Sequence, residues 1–198
     1  MRKIDFGSWH YTAYRGIRNS LDVTIQYDFE SVNGIRAYAE ANKKLTEQLA
    51  SGGGQVEVYV TFRNYVSPEQ FRAWVKATGL TSGPTTQVYG IVRMVQQDGT
   101  RITAYTGPDA QTDKVQARWA DVGAKVQGIV AARGWMATSQ LLSLQKDQLV
   151  FLVDVTPNVV RNDLNANGVN GVDQARVMVI PETPFWTMED VGLDNFRQ

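Results

Sequence analysis

Cysteine is absent from this 198-residue chain, and histidine occurs once, as His10. The missing thiols exclude disulfides, thiolate zinc sites and cysteine nucleophiles. One histidine cannot supply the usual nitrogen ligands of a zinc site, and the chain contains no G-x-S-x-G turn to carry a nucleophilic serine. We therefore expect neither catalytic zinc nor hydrolysis by a serine, histidine and acid triad.

The chain also lacks net charge, because twenty Lys plus Arg balance twenty Asp plus Glu. Proteins that bind nucleic acid normally need a basic excess to neutralise phosphates, so nucleic acid is not an expected partner. The longest fully apolar run, residues 149–153, is far shorter than the roughly 18 residues of a membrane-spanning helix. The glycine run at 52–54 is not followed by the lysine and hydroxyl residue of a phosphate-binding loop.

Aromatic residues are concentrated near both ends of the chain. The N-terminal group lies among basic residues, a mixture typical of membrane interfaces and also of rings packed onto a protein body. This start has neither the apolar segment nor the cleavage site of a signal peptide. The candidate interaction surface consists of Trp9, Tyr11, Tyr14, Phe185, Trp186 and Phe196. Docking of these residues onto the body of the protein is the alternative.

Hydrophobic periodicity predicts alternating strands and helices. Apolar residues at every second position predict strands at 21–27 and 56–62. Helical spacing of apolar residues follows the first strand, and the glycine run ends that helix. A second helix begins at Ser67, with Pro68 in its first turn and Gln70 completing an S-x-x-Q capping box.

The order of the predicted elements indicates two βαβ units, at 56–92 and 129–155. We predict an α/β (α+β) protein with a ferredoxin-like double βαβ sheet, helices packed on it, and an inserted hairpin strand and helix. Residues 1–20 form an N-terminal extension, 21–180 a single domain and 181–198 a C-terminal docking tail. We expect the strand at 56–62 to expose one face and the apolar strand at 149–153 to be central.

One local motif indicates a metal loop. Asp163, Asn165 and Asn167 precede Gly168 with the spacing of the first half of a calcium loop, which resembles those of EF-hand and dockerin modules. The twelfth position is Gln174 instead of a carboxylate, and Asp173 is the nearest acid. The sequence thus offers a Ca²⁺ site at Asp163, Asn165, Asn167 and Asp173, or a turn rich in Asn and Gly.

A second acid lies inside an apolar strand. Asp154 ends the run LVFLVD, and a buried carboxylate must be hydrogen-bonded, paired or protonated. Arg133 or Arg161 is the expected ion-pair partner, and capping of the following turn is an alternative.

These observations favour a non-enzymatic binding or interaction domain, with a protein partner or self-association. An extracellular or cell-surface ectodomain is favoured over a cytoplasmic protein. The alternatives are an enzyme with a carboxylate-based or metal-assisted site near Asp154 or Asp163, and a structural or assembly subunit.

Overall fold

The computed structural model describes residues 2–5, 9–15, 20–27 and 31–196, which form two β-sheets and six α-helices. The strands are β1 (Arg2–Asp5), β2 (Trp9–Arg15), β3 (Leu21–Tyr27), β4 (Gln55–Val66), β5 (Tyr89–Val95), β6 (Arg101–Thr106), β7 (Lys125–Ala137), β8 (Val150–Asp154) and β9 (Arg176–Ile180). The helices are α1 (Val32–Ala50), α2 (Pro68–Thr78), α3 (Thr112–Arg118), α4 (Leu141–Gln145), α5 (Thr156–Ala166) and α6 (Phe185–Val191).

The larger sheet has the strand order β6-β5-β7-β4-β8, with antiparallel neighbours. Strands β4 and β5 run in the same direction on either side of β7 and are connected through α2. Strands β7 and β8 flank β4 in the same way and are connected through α4. Two βαβ units therefore interleave in one sheet, and the α+β class is confirmed. The finer prediction of a ferredoxin-like arrangement stays a prediction. The observed strand order does not contradict it.

The smaller sheet has the order β1-β2-β3-β9, in which β3 and β9 are parallel. Two of its strands come from the segment that the sequence analysis treated as an extension, and β9 comes from the other end of the chain. Its inward residues are buried, among them Tyr11, Val23 and Val177, each at 0% exposure. Apolar burial therefore extends from the larger sheet into this second layer.

Strand β4 is buried on both faces. Val58, Val60 and Phe62 belong to the core that includes Phe71 and Trp74 of α2. The expectation that the other face is exposed is wrong, because β9 and α5 cover it. The Tyr59 hydroxyl donates to the Val177 carbonyl of β9, at 3.3 Å. An alternating pattern identifies a strand's two faces but cannot show that a second layer covers the polar one.

Local sequence rules fix several boundaries. The capping box that starts α2 is confirmed: Ser67 Oγ accepts from the Gln70 N–H, and the Gln70 side chain accepts from the Ser67 N–H. The hairpin β5–β6 is also present. The inserted helix that follows is α3, which ends at Arg118, and Gly123 adopts a left-handed conformation (φ 63°) just before β7. Among the described residues, no helix is long and apolar enough to cross a membrane.

Candidate functional site

A cleft of about 560 Å³ lies where α5 meets the ends of β4 and β7. We call it the α5 cleft. Its wall includes Trp135 of β7, Gln55 of β4, Pro84 of the loop before β5, and Gly52 and Gly53 after α1. This volume is within the range of small-molecule sites. The next cleft, beside Tyr65, has a volume of about 400 Å³.

Helix α5 gives the cleft a stripe of polar side chains. Asn158, Arg161, Asn162 and Asn165 line it. Their spacing of three and four residues places them on one face of a helix. Pro157 lies in the first turn of α5, where its missing N–H costs no hydrogen bond and its φ suits the helix. Asn158 also anchors the helix to β4, donating to the Glu57 carbonyl (2.8 Å) and accepting from its N–H (3.2 Å).

Behind the cleft lies a buried ion cluster, Glu57 with Arg133 and Arg161. One carboxylate oxygen of Glu57 contacts Arg133 Nη2 at 2.6 Å, and the other contacts Arg161 Nη2 at 2.8 Å. Glu57 is fully buried, and the two arginines are each 8% exposed. Burial lowers the pKa of Arg133, but interactions with Tyr59 and Glu57 outweigh that effect and raise it. The cluster holds two cations and one anion, a formal charge of plus one.

Arg161 is held in a fixed orientation. Its Nη1 donates to the carbonyls of Val172 and Ala175, both at 3.0 Å. Its Nη2 donates to Glu57 and, at 3.4 Å, to the hydroxyl of Thr85. A 3.4 Å contact is long for a hydrogen bond, so Thr85 is the weakest of these partners.

Two unpartnered N–H groups belong to residues that line the cleft. Among the described residues, the buried side-chain atoms without a hydrogen-bond partner are Arg161 Nε, Trp135 Nε1 and Arg93 Nε. Arg161 and Trp135 are neighbours, with the Arg161 guanidinium carbon 5.7 Å from the Trp135 ring centre. A buried donor without an acceptor costs about 1–3 kcal/mol, so two in one place require an explanation.

The loop before β5 packs against Trp135 and Glu57. Thr81 and Trp135 exchange two backbone hydrogen bonds of 2.8 Å. Gly83 lies so close to the Trp135 indole that an added Cβ would be 2.2 Å from the ring, so only glycine fits there. Thr86 donates to Glu57 at 3.0 Å. The loop therefore rests on both the indole and the ion cluster.

The lining of the α5 cleft is rich in side-chain amides. Among the described residues, Asp173 is the only acid in this lining, which includes no histidine, cysteine, serine, lysine or tyrosine. General acid and base catalysis needs a positioned titratable group, and paired-carboxylate hydrolysis needs two acids. The amides, guanidinium and indole of this cleft supply hydrogen bonds instead.

The structure does not bring the predicted calcium ligands together. Asp163 and Asn165 lie in the last turns of α5, where residues two apart point in different directions. Asp163 accepts a short hydrogen bond from Tyr11 and contacts Asn167, whereas Asn165 and Asp173 line the cleft. Among the described residues, no group of three or more His, Cys, Asp or Glu side chains could hold a metal ion. The expected loop is a helix as far as Ala166.

Asp154 is buried, but the prediction that it pairs with Arg133 or Arg161 is wrong. Arg133 and Arg161 pair with Glu57 instead. Asp154 accepts from the hydroxyls of Tyr27 (2.6 Å), Tyr38 (2.9 Å) and Thr156 (2.6 Å), and from the Thr156 N–H (2.8 Å). This includes the turn-capping role that the sequence left open. Burial raises the pKa of Asp154, although each of these hydrogen bonds lowers it.

Most of the candidate interaction surface is inside the protein. Tyr11 and Phe185 are fully buried, and Trp9 and Phe196 are at most 7% exposed. Trp186 is half-buried with the Arg93 guanidinium 4.2 Å from its ring centre, and Tyr14 is 43% exposed. Burial within the chain therefore explains four of the six residues without any partner.

Comparisons with protein-family models, with curated proteins and with solved structures found no match. The sequence did not predict the α5 cleft, since Glu57 lies in the strand at 56–62, which was expected to expose one face to solvent. One usable signal was present. The residues Asn158, Arg161, Asn162 and Asn165 share a helical face, but the sequence from Asp163 onwards was interpreted as a metal loop or turn.

Proposed function

We propose that this protein is a non-enzymatic binding domain, and that its ligand is a small polar molecule held in the α5 cleft. The observation that carries the proposal is the pair of unpartnered donors, Arg161 Nε and Trp135 Nε1, on two residues lining one cleft. A ligand with acceptor oxygens would satisfy donors that the described residues leave unused.

The residues of the cleft support binding over the enzymatic alternative. Asp173 is exposed and is the only acid in the lining, and Asp154 lines none of the described clefts. Asp154 is 3% exposed and accepts hydrogen bonds from the hydroxyls of Tyr27 and Tyr38, so its carboxylate is engaged within the protein.

The test is a fragment titration followed by two-dimensional NMR. The probes are small carboxylates, amides and methyl pyranosides, each added to the full chain at matched ionic strength. The proposal predicts saturable shifts confined to residues lining the α5 cleft for at least one probe class.

A matched pair of variants makes this test specific. Asn162→Trp fills the cleft from an exposed position on α5, and Asn33→Trp makes the same change at an exposed position on α1 outside the lining. The first variant should abolish the shifts and the second should preserve them. Shifts that survive Asn162→Trp, or the absence of any saturable shift, would contradict the proposal.

A further inference from the structure

We infer that the group recognised at the base of the α5 cleft is a carboxylate, bound by Arg161 and Trp135 in place of the Thr85 hydroxyl. This inference rests on the proposed function and specifies its ligand. Three features support it: the charge of the ion cluster, the geometry of the guanidinium and the weakness of the Thr85 contact.

Charge favours an anion at this position. Glu57 is shared by two guanidinium groups, which leaves the cluster with one excess positive charge in a buried setting. On the Arg133 side, Glu182 approaches through the Tyr89 hydroxyl, which donates to it at 2.9 Å. On the Arg161 side, no described acid except Glu57 pairs with the guanidinium. Buried charges are stable when paired, so the Arg161 side is where an added anion gains most.

Geometry favours a planar anion with two oxygens. The Nε–H of a guanidinium and one Nη2–H point in the same direction, and their spacing matches that of carboxylate oxygens. On Arg161, Nε has no partner among the described residues, and Nη2 donates to Glu57 and to Thr85. The neighbouring Trp135 N–H adds a third donor.

Thr85 is the group that the ligand replaces. Its hydroxyl is a neutral acceptor at 3.4 Å, whereas charge-assisted hydrogen bonds from arginine to carboxylate are shorter and about twice as strong as neutral ones. Both unpartnered atoms are shielded from solvent, so entry requires a displacement of the loop that carries Thr85. Asp173 on the rim disfavours a second negative charge, which selects a monoanion over a dianion.

The experiment follows the indole N–H peak of Trp135 in the full chain during titration with sodium acetate. The chain contains five tryptophans, and Trp135→Phe identifies the peak by its loss, with Trp119→Phe as a control outside the cleft. Acetamide, inorganic phosphate and methyl glucoside are the comparison probes, with sodium chloride balancing ionic strength. We expect a saturable acetate shift with a dissociation constant of about 1–10 mM, the range open to a ligand of four heavy atoms.

Three variants test the assigned groups. Arg161→Lys keeps the charge but removes the two-donor edge, and should weaken acetate binding about tenfold or more. Trp135→Phe, followed through backbone peaks of α5, should weaken it several-fold. Thr85→Val removes the competing hydroxyl and should tighten binding two- to five-fold, whereas Thr103→Val on β6 should change nothing. A purely structural role for Thr85 predicts no tightening. The Thr85→Val variant therefore tests whether acetate replaces the Thr85 hydroxyl even if Arg161→Lys fails to fold.

The outcomes separate the two proposals. Cleft shifts with acetamide or methyl glucoside but not with acetate would overturn the carboxylate and leave the binding function standing. Tighter binding of phosphate than of acetate would likewise overturn it. If no probe shifts any peak of the cleft, both proposals are contradicted.

Discussion

Glu57 and Asp154 are two carboxylates buried in adjoining strands, and they are stabilised in different ways. Glu57 on β4 makes ion pairs with Arg133 and Arg161. Asp154, which pairs in register with Tyr59 of the same strand, receives hydrogen bonds from three hydroxyls and a backbone N–H. Among the described residues, no arginine or lysine pairs with it.

The two arrangements have different consequences for stability. The carboxylate of Glu57 is compensated by more positive charge than it carries, so its removal leaves cations buried. Asp154 has only dipoles to stabilise its charge, and burial raises its pKa. One acid therefore holds a strand and a helix together by charge. The other holds β3 and α1 to the end of β8 through tyrosine hydroxyls and retains its proton to a higher pH than an ordinary aspartate.

The largest expected effect comes from removing the charge of Glu57. Glu57→Gln leaves Arg133 and Arg161 buried without a counter-charge, and should lower the free energy of unfolding by about 3–5 kcal/mol. Urea denaturation followed by circular dichroism measures the change. The control is Glu69→Gln, which removes an exposed i,i+3 pair with Arg72 and should leave the midpoint nearly unchanged. Equal midpoints for the two variants would show that the buried ion pairs of Glu57 stabilise the fold no more than the exposed pair of Glu69 does.

A smaller effect is expected from one donor to Asp154. Tyr27→Phe removes the 2.6 Å hydrogen bond from β3 and should lower the free energy of unfolding by about 1–3 kcal/mol. Tyr14→Phe, at an exposed position of the neighbouring strand β2, is the matched control. The loss of unfolding free energy caused by Tyr27→Phe should be smaller in the Asp154→Asn background, because the Tyr27 hydroxyl no longer donates to a carboxyl group there. Additive losses in that double-mutant cycle would show that the hydroxyl does not act through Asp154.

The third prediction concerns how the contribution of Asp154 to stability depends on pH. The pKa of Asp154 is raised in the folded state, so the folded protein keeps this proton to a higher pH than the unfolded chain does. The contribution of Asp154 to the free energy of unfolding is therefore most favourable below the ordinary aspartate pKa of about 3.9. This contribution is lost as pH rises through the raised folded pKa.

Asp154→Asn removes this titration. The free energy of unfolding of the variant, relative to that of the original protein, should increase as pH rises from about 4 to neutral. Urea midpoints at several pH values measure it, and the difference cancels the titration of other carboxylates. A difference that falls with rising pH would mean that the folded protein favours the ionised form of Asp154.

Sequence patterns predicted most strands of the larger sheet better than they predicted the layers. Strands β1 and β2 were missed, and β8, expected to be central, lies at an edge of the larger sheet. Alternation located β3 and β4, turn residues located the hairpin, and the capping box located the start of α2. These are local rules, since they depend on residues within one or two turns of each other. Whether Glu57 faces water or a second sheet depends on β9, which lies more than a hundred residues away. Periodicity carries no information about such a distant contact.

The candidate site was missed for the same reason. Spacing suggested a calcium loop at residues 163–173, but packing of Leu164 and Val160 into the core keeps most of that segment's first half helical. The cleft combines residues from α5, β4, β7 and two loops, and its decisive feature is that two N–H groups have no acceptor among the described residues. The number of acceptors available to a side chain is known only from the assembled fold.

The most direct test of the account is a crystal structure of the protein grown with sodium acetate and compared with crystals grown without it. The account predicts acetate density in the α5 cleft, with oxygens within about 3 Å of Arg161 Nε and Trp135 Nε1 and with Thr85 displaced. Finding both N–H groups already bonded to protein atoms, with the cleft unchanged by acetate, would contradict it.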